Sequence, residues 1–484
     1  MLILFLLFAG FCNVYSLRSC FSVAIVHMVK NTTYTDLNGT IWSKQEFDWN
    51  TREQGILLSA FFWGYVPSQL LGALLTLKYG GKMIIGMSIL IPSFLSFVMP
   101  MCIDFGGFYL VIIIRILQGV FEGGVYTGTL PLISKWVPEQ DRSKSYTIVV
   151  AGTFIGTSGG MAMSGIICYY FGWRRVLQSA GVFGIIWWVI WQQIVTDIPE
   201  KSKLISSPEL AQIQATRGSS AHILVNLKEV PYRKIITSLP VLALSILAFT
   251  EFCGVYTMLT ELPTYFSDVY KIDIIRIGVY SGLPYVCMAI FAIINGCIVD
   301  SLGNILRVNT LRKVCVSFGF CSQILFLTLL IHSYSFSNSM ACLVCSLCFG
   351  SINQACYGPN CIELNPKYSS VIMGITSSIC NISGIVAPLV CGLVVKTGTR
   401  EEWNNIFMII ICVYVFGLFS FWILGSSNYQ NWDDEPEYND LNASALACLQ
   451  CCKQQFQSRP SPCFRMSIPI LQTIHGQELG NDSV

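Results

Sequence analysis

Charge is scarce in this chain. Asp, Glu, Lys and Arg together make up 12% of its 484 residues, and the formal net charge is only +2. That excludes the broad basic field that nucleic-acid binding requires. Histidine occurs four times, and neither an HExxH pattern, a glycine-rich phosphate loop nor a nucleophile–base pair is found. We therefore expect no metal, no cofactor and no enzymatic activity. Cysteine is not scarce, at twenty-one residues. However, Cys287, Cys297, Cys342, Cys345 and Cys348 lie inside apolar runs, where they read as small hydrophobes and not as a disulfide framework. The CxxC spacing of CLVCSLC falls in the same kind of run.

What the chain has in abundance is apolar length. Hydrophobic residues make up 53%, and the mean hydropathy is +0.59. Twelve segments, centred near residues 15, 65, 92, 119, 158, 185, 248, 288, 322, 348, 382 and 415, can each supply the ~20 residues that cross a bilayer. The expected fold class is an all-α membrane protein with twelve transmembrane helices. A polar stretch splits them six and six, giving expected boundaries at 1–196, 197–235, 236–425 and 426–484. The first segment, MLILFLLFAGFC, lacks the charged start of a signal peptide, and its apolar character resumes in FSVAIVHMV; a transmembrane helix is expected there. It has almost no polar head before it, which leaves the N-terminal boundary open.

With both termini cytosolic, the cytosolic loops hold fifteen Lys and Arg and the opposite loops nine, in the sense of the positive-inside rule. Asn31 (NTT) and Asn38 (NGT) are glycosylation acceptors in the first lumenal or extracellular loop.

Four charges interrupt the spans. Intramembrane ionisable groups are functional-site candidates by default. Arg18 offers a planar, permanently charged fork that can take a carboxylate with two hydrogen bonds. Arg115 and Glu122 are two helical turns apart on one face, ~10 Å along the axis, too far for an easy direct pair. Glu122 is the proton-carrying candidate, since carboxyl groups withdrawn from water can load and release protons near neutral pH. Arg115 holds its span against neighbours or joins the same relay. Glu251 is a second intramembrane carboxyl and a further candidate for proton coupling. Tyr65, Tyr126 and Tyr256 are candidate cavity hydroxyls, and Asn360 is a candidate cavity amide.

GCIVDSLG (Gly296 to Gly303) fits GxxxDxxG after span eight. ALLTLKYGGK (Ala73 to Lys82) is a degraded copy after span two, with Leu77 at the aspartate position. This is the form of the cytosolic turn of major facilitator transporters, which join two six-helix bundles around a midplane site. Over about residues 11–434 the chain resembles the anion/cation symporter family of that superfamily. The carriers are YSLRSCFSVAIVHMV, SAFFWGYVPSQLLG, RILQGVFEGGVY, SKWVPEQDRSKS, SGIICYYFGWR, LPTYF, NPKYSSVIMGI and TREEWNNIF. The resemblance implies a secondary transporter of organic anions, coupled to protons or sodium, in a lysosomal, vesicular or plasma membrane. It implies that Arg18 anchors the substrate carboxylate, that Glu122 serves proton coupling, and that Tyr65, Tyr126, Tyr256 and Asn360 line the cavity. It makes Gly172, Trp173 and Arg174 a structural turn.

The branches of the family fit unevenly. The vesicular glutamate branch has histidine at the position of Leu58 and arginine at that of Glu251, and many members have histidine at that of Leu130. Sialin-like members have a second glutamate at the position of Gln118. SGIICYY, LPTYF and the Asn31 motif lean toward sialin-like acidic sugars or amino acids; a glutamate carrier or a sodium-driven phosphate carrier is the alternative. In the tail, Cys448, Cys451 and Cys452 form a cluster open to palmitoylation.

Overall fold

The computed structural model describes residues 2–29, 31–35, 41–137, 142–202, 205, 230–303, 305–365 and 368–432. Asn38, Cys448, Cys451 and Cys452 lie outside them. Met1–Gln430 form one compact unit and Asn431–Val484 a second.

Long helices build the first unit. They are α1 (Leu2–Val29), α2 (Thr51–Tyr79), α3 (Gly81–Glu122), α4 (Gly124–Trp136), α5 (Arg142–Phe171), α6 (Trp173–Ile194), a short α7 (Tyr232–Ile236), α8 (Leu239–Tyr270), α9 (Ile274–Gly303), α10 (Val308–His332), α11 (Phe336–Leu364), α12 (Ser369–Val394) and α13 (Arg400–Leu424). Among the described residues, nine segments are long and apolar enough to cross a membrane. One of these, Gly81–Trp136, is 56 residues long and holds two spans. They are joined at Gly107, whose φ of 57° and ψ of −147° lie where only glycine is comfortable, so the chain reverses without a loop. With α2 and α6, which are long but more polar, the twelve expected spans are all helical.

One departure from an all-helical chain appears after α1. Asn31–Thr35 (β1) and Ile41–Gln45 (β2) pair antiparallel, with Asn31 opposite Gln45 and Thr35 opposite Ile41. NTTYT and IWSKQ are rich in β-branched and aromatic residues and too polar to enter hydrocarbon, which favours an extended hairpin outside the membrane.

The same packing scheme occurs twice. In the first six spans, α1 packs on α5 and α6, and α3 on α2 and α6. In the last six, α8 packs on α12 and α13, α10 on α11 and α13, and α9 on α11. Across the halves, α5 meets α9, α2 meets α12, and α1 meets α8. Helices in lipid gain little from hiding apolar surface, so close backbone approach and polar contacts hold them. A Cβ at Gly165 would stand 2.7 Å from the Ile274 carbonyl and 3.0 Å from Gly278 Cα. This close contact joins α5 to α9 near the Gly172 turn. Large apolar side chains remain exposed on the outer faces, among them Phe183, Ile186 and Ile190 on α6, as a lipid-facing belt requires.

The turns repay the sequence reading. Gly172 has φ of 78°, Trp173 Nε1 donates to Glu46 at 2.7 Å, and Arg174 bridges Glu46 at 2.5 Å and Asp104 at 2.7 Å. At the opposite end, the Lys82 N–H at the start of α3 donates to Asp197 at 2.8 Å, so an aspartate from after the sixth span meets the turn in which Leu77 occupies the motif's acidic position. No disulfide is formed by the cysteines of the described residues.

Candidate functional site

Arg18 stands at mid-length in α1, and it is buried. Its Nη2 donates to Glu122 Oε2 at 3.2 Å, and both side chains are 2% exposed. A lone charge there would be costly; a pair is tolerated. The guanidinium lies over the rings of Phe61, Tyr65 and Tyr15 at 4.5, 4.6 and 4.7 Å, and of Phe62 at 5.7 Å. Cation–π contact replaces part of the lost hydration without consuming N–H donors. Arg18 Nε and Nη1 are buried and have no hydrogen-bond partner among the described residues. These two nitrogens carry three of the fork's five N–H donors, which are thus held ready.

The Glu122 helix also lies close to α2, which carries the Phe61 and Tyr65 rings over Arg18. A Cβ at Gly119 would lie 2.8 Å from the Tyr65 backbone nitrogen. Helix α3 ends at Glu122 and α4 begins at Gly124, and the intervening Gly123 keeps helical dihedrals, φ −60° and ψ −18°, so the span continues past the carboxylate. Arg115, two turns earlier, does not pair with Glu122. It donates to Gln118 Oε1 at 3.3 Å and lies over Phe21 at 4.4 Å and Phe61 at 5.3 Å. Gln118 in turn donates to the Pro92 carbonyl at 3.3 Å. The two opposite charges of this span therefore have separate partners, as their spacing predicts.

Three of the expected tyrosines border the same place. Tyr65 stacks on Arg18. The Tyr126 hydroxyl is 2.8 Å from that of Tyr15, and both side chains are half-buried. Tyr256, from the second half, meets Phe62 edge-on at 4.7 Å and donates to Asn381 Oδ1 at 2.6 Å. Two expected residues lie apart. Asn360 is buried in α11 with Oδ1 unpartnered, and no hydrogen bond links it to the Arg18 group among the described residues. Glu251 belongs to a second polar cluster. It accepts from Asn353 Nδ2 at 2.8 Å and Gln323 Nε2 at 3.3 Å, and Gln323 Nε2 lies 3.4 Å from the Tyr414 hydroxyl.

Several contributors are missing from the sequence expectations: Tyr15, Phe61, Phe62, Asn381, Gln323, Asn353 and Tyr414. Tyr15 lies one helical turn from Arg18 and could have been found by that spacing. The others are uncharged residues in apolar runs and carry no comparable signal. Asn31 begins β1.

The Major Facilitator Superfamily model matches residues 6–388. Vesicular glutamate transporter 2.1 of Danio rerio is 33% identical over 434 residues, covering 88% of this chain and 74% of that protein. Vesicular glutamate transporter 2 of Homo sapiens is 31% identical over 437 residues, covering 89% and 75%. A bacterial homolog to the human lysosomal transporter Spinster, solved inward-facing and unoccupied, superposes with a TM-score of 0.68 at 12% identity over 90% of this chain and 98% of that one. The E. coli xylose transporter XylE, inward open, gives 0.65 at 11% identity over 87% and 94%. The chain is a multi-pass membrane transporter of the Major Facilitator Superfamily and belongs to its anion/cation symporter family.

Proposed function

We propose that this protein is a proton-coupled secondary transporter of small organic anions, with sialin-like acidic sugars or acidic amino acids as the substrate class. One observation carries the reading: Arg18 keeps the buried N–H donors of Nε and Nη1 unused while Nη2 contacts Glu122. A substrate carboxylate and Glu122 then compete for one guanidinium. With Glu122 protonated, the fork is free to bind the anion with two hydrogen bonds. When Glu122 gives up its proton, it re-pairs with Arg18 and displaces the anion. Proton and anion therefore travel together.

Tyr65, Tyr126 and Tyr256 border the bound anion, and Asn360 lines the route from the α11 side. Arg115 keeps the Glu122 span in register through Gln118 and the Phe21 ring. The six-helix units 1–196 and 236–425 rock about the site. Glycans on Asn31 and Asn38 mark the lumenal or extracellular face, and the membrane is lysosomal, vesicular or plasma. Glutamate is the second substrate reading, supported by the names of the relatives. The non-basic Leu58, Leu130 and Glu251 stand against it. Sodium-driven phosphate transport is the remaining alternative.

The test is uptake of labelled sialic acid, glutamate and phosphate into proteoliposomes under an imposed proton or sodium gradient. Proton-driven uptake of an organic anion, abolished by Arg18→Ala, is expected. Glu122→Gln is expected to lose gradient-driven accumulation while retaining anion exchange. Uptake undiminished by Arg18→Ala overturns the proposal.

A further inference from the structure

We propose that Glu251, Asn353 and Gln323 form a second coupling-cation site, in the C-terminal half and separate from Arg18. In each transport cycle it holds one monovalent cation, either a proton on the carboxyl or a sodium ion. The proposal rests on the transport reading above and adds a site and a stoichiometry to it.

Glu251 is the thirteenth residue of the 32-residue helix α8, so it stands ~18 Å from the helix start, at bilayer mid-depth. It is 2% exposed. Three other helices face it: Gln323 from α10, Asn353 from α11 and Tyr414 from α13. The other titratable neighbour is Cys380 from α12. Among the described residues no lysine, arginine or histidine is hydrogen-bonded or ion-paired to it. Glu122 has its guanidinium, whereas Glu251 has only amides. Amides orient a buried carboxylate but do not neutralise it, and an uncompensated charge at this depth is too costly to keep.

A second observation points to what neutralises it. Asn353 is 1% exposed, and its Oδ1 is an acceptor with no partner among the described residues. Among the described residues the Glu251 carboxylate has no cation beside it and the Asn353 oxygen has no donor, so both lack the same thing, a positive centre. Sodium would bind both oxygens. A proton on Glu251 would be donated to the amide oxygen after the Asn353 side chain turns over.

The surrounding helices are shaped for this cluster. A Cβ at Gly319 would overlap Asn353, and one at Gly350 would overlap Gln323. The same helix α8 carries Tyr256 to the edge of the Arg18 site. Occupancy at Glu251 is thereby linked to the anion.

The experiment is the steady-state accumulation ratio of labelled anion in proteoliposomes holding the full chain, read against imposed pH, sodium and voltage gradients. Each coupled cation multiplies accumulation by its own gradient, about tenfold per pH unit or per tenfold sodium ratio. Glu251→Gln is expected to lose one such factor while anion binding, followed by intrinsic tryptophan fluorescence, stays within about twofold. The gradient that loses its effect identifies the cation. Asn353→Leu, which keeps the carboxyl and removes both the vacant oxygen and the Nδ2 donor to Glu251, is expected to weaken cation dependence about tenfold or more; it carries the test where Glu251→Gln does not reconstitute. Unchanged cation dependence in these variants, with normal coupling in the wild type, overturns the second site alone. No gradient-driven flux in the wild type overturns both the site and the transport reading.

Discussion

Arg18 owes its exposure in the sequence to what surrounds it. A charge in an apolar run needs a reason, and the same logic finds Arg115, Glu122 and Glu251. The partners of Glu251 were not legible, because Gln323 and Asn353 look like any polar residue a helix can satisfy internally. The aromatic shell shows why the fork matters more than the charge. Four rings surround the guanidinium, and a planar, delocalised cation stacks on aromatic faces in a way that a tetrahedral ammonium does not. Arg18→Lys is therefore expected to raise the half-saturating substrate concentration tenfold or more, since ~1.5–3 kcal/mol attaches to a hydrogen bond with a charged group. Uptake kinetics measure this; an unchanged value would mean that charge alone suffices. Tyr126→Phe removes one neutral hydroxyl contact with Tyr15 and is expected to cost only about two- to tenfold. A larger loss would place that hydroxyl on the substrate.

At the scale of elements, the helices were legible and their joints only partly so. Periods of ~20 apolar residues fix where spans lie, but not that two spans meet at one glycine or that NTTYT and IWSKQ pair as a hairpin. The start of α2 was also unannounced. Asn50 accepts from the Glu53 N–H, and Glu53 accepts from the Asn50 N–H, each at 2.9 Å. This reciprocal cap closes two otherwise open donors. Asn50→Ala is expected to destabilise that end of α2 by ~1 kcal/mol, seen as faster amide hydrogen exchange over residues 51–54; unchanged exchange would show that the preceding loop holds the helix by other means. The Arg174 bridge ties this loop to the Gly107 turn. Its partners Glu46 and Asp104 lie far apart in the chain, one after β2 and one within α3, so sequence spacing did not announce them.

For the whole molecule, the recurrence of one packing scheme in both halves was foreshadowed only by one intact and one degraded GxxxDxxG. Helix-pair geometry persists after sequence similarity between halves has faded, because it depends on shape and not on residue identity. The halves are in close contact at the end bearing Gly172 and Lys271. Gly55 approaches Gly392 and Pro388 there, as Gly165 approaches Gly278. Gly278→Leu is expected to wedge this end open and lower turnover, and to reduce cross-linking between cysteines introduced by Gly55→Cys and Gly392→Cys. Cross-linking equal to that of the parent double mutant would count against a closed end held by glycine contact. The topology itself is checked by enzymatic deglycosylation: a mobility shift lost only in the Asn31→Gln, Asn38→Gln double variant places that loop outside the cytosol.

The single-residue reversal at Gly107 gives the following span no slack. Residues 108–136 are pinned at one end to the preceding helix and run on through Gly123, whose φ of −60° and ψ of −18° are helical. A rod held at one tip and unbroken along its length moves as one piece. Any tilt of that span is carried to Glu122, so opening the molecule and straining the Arg18 contact become one mechanical event.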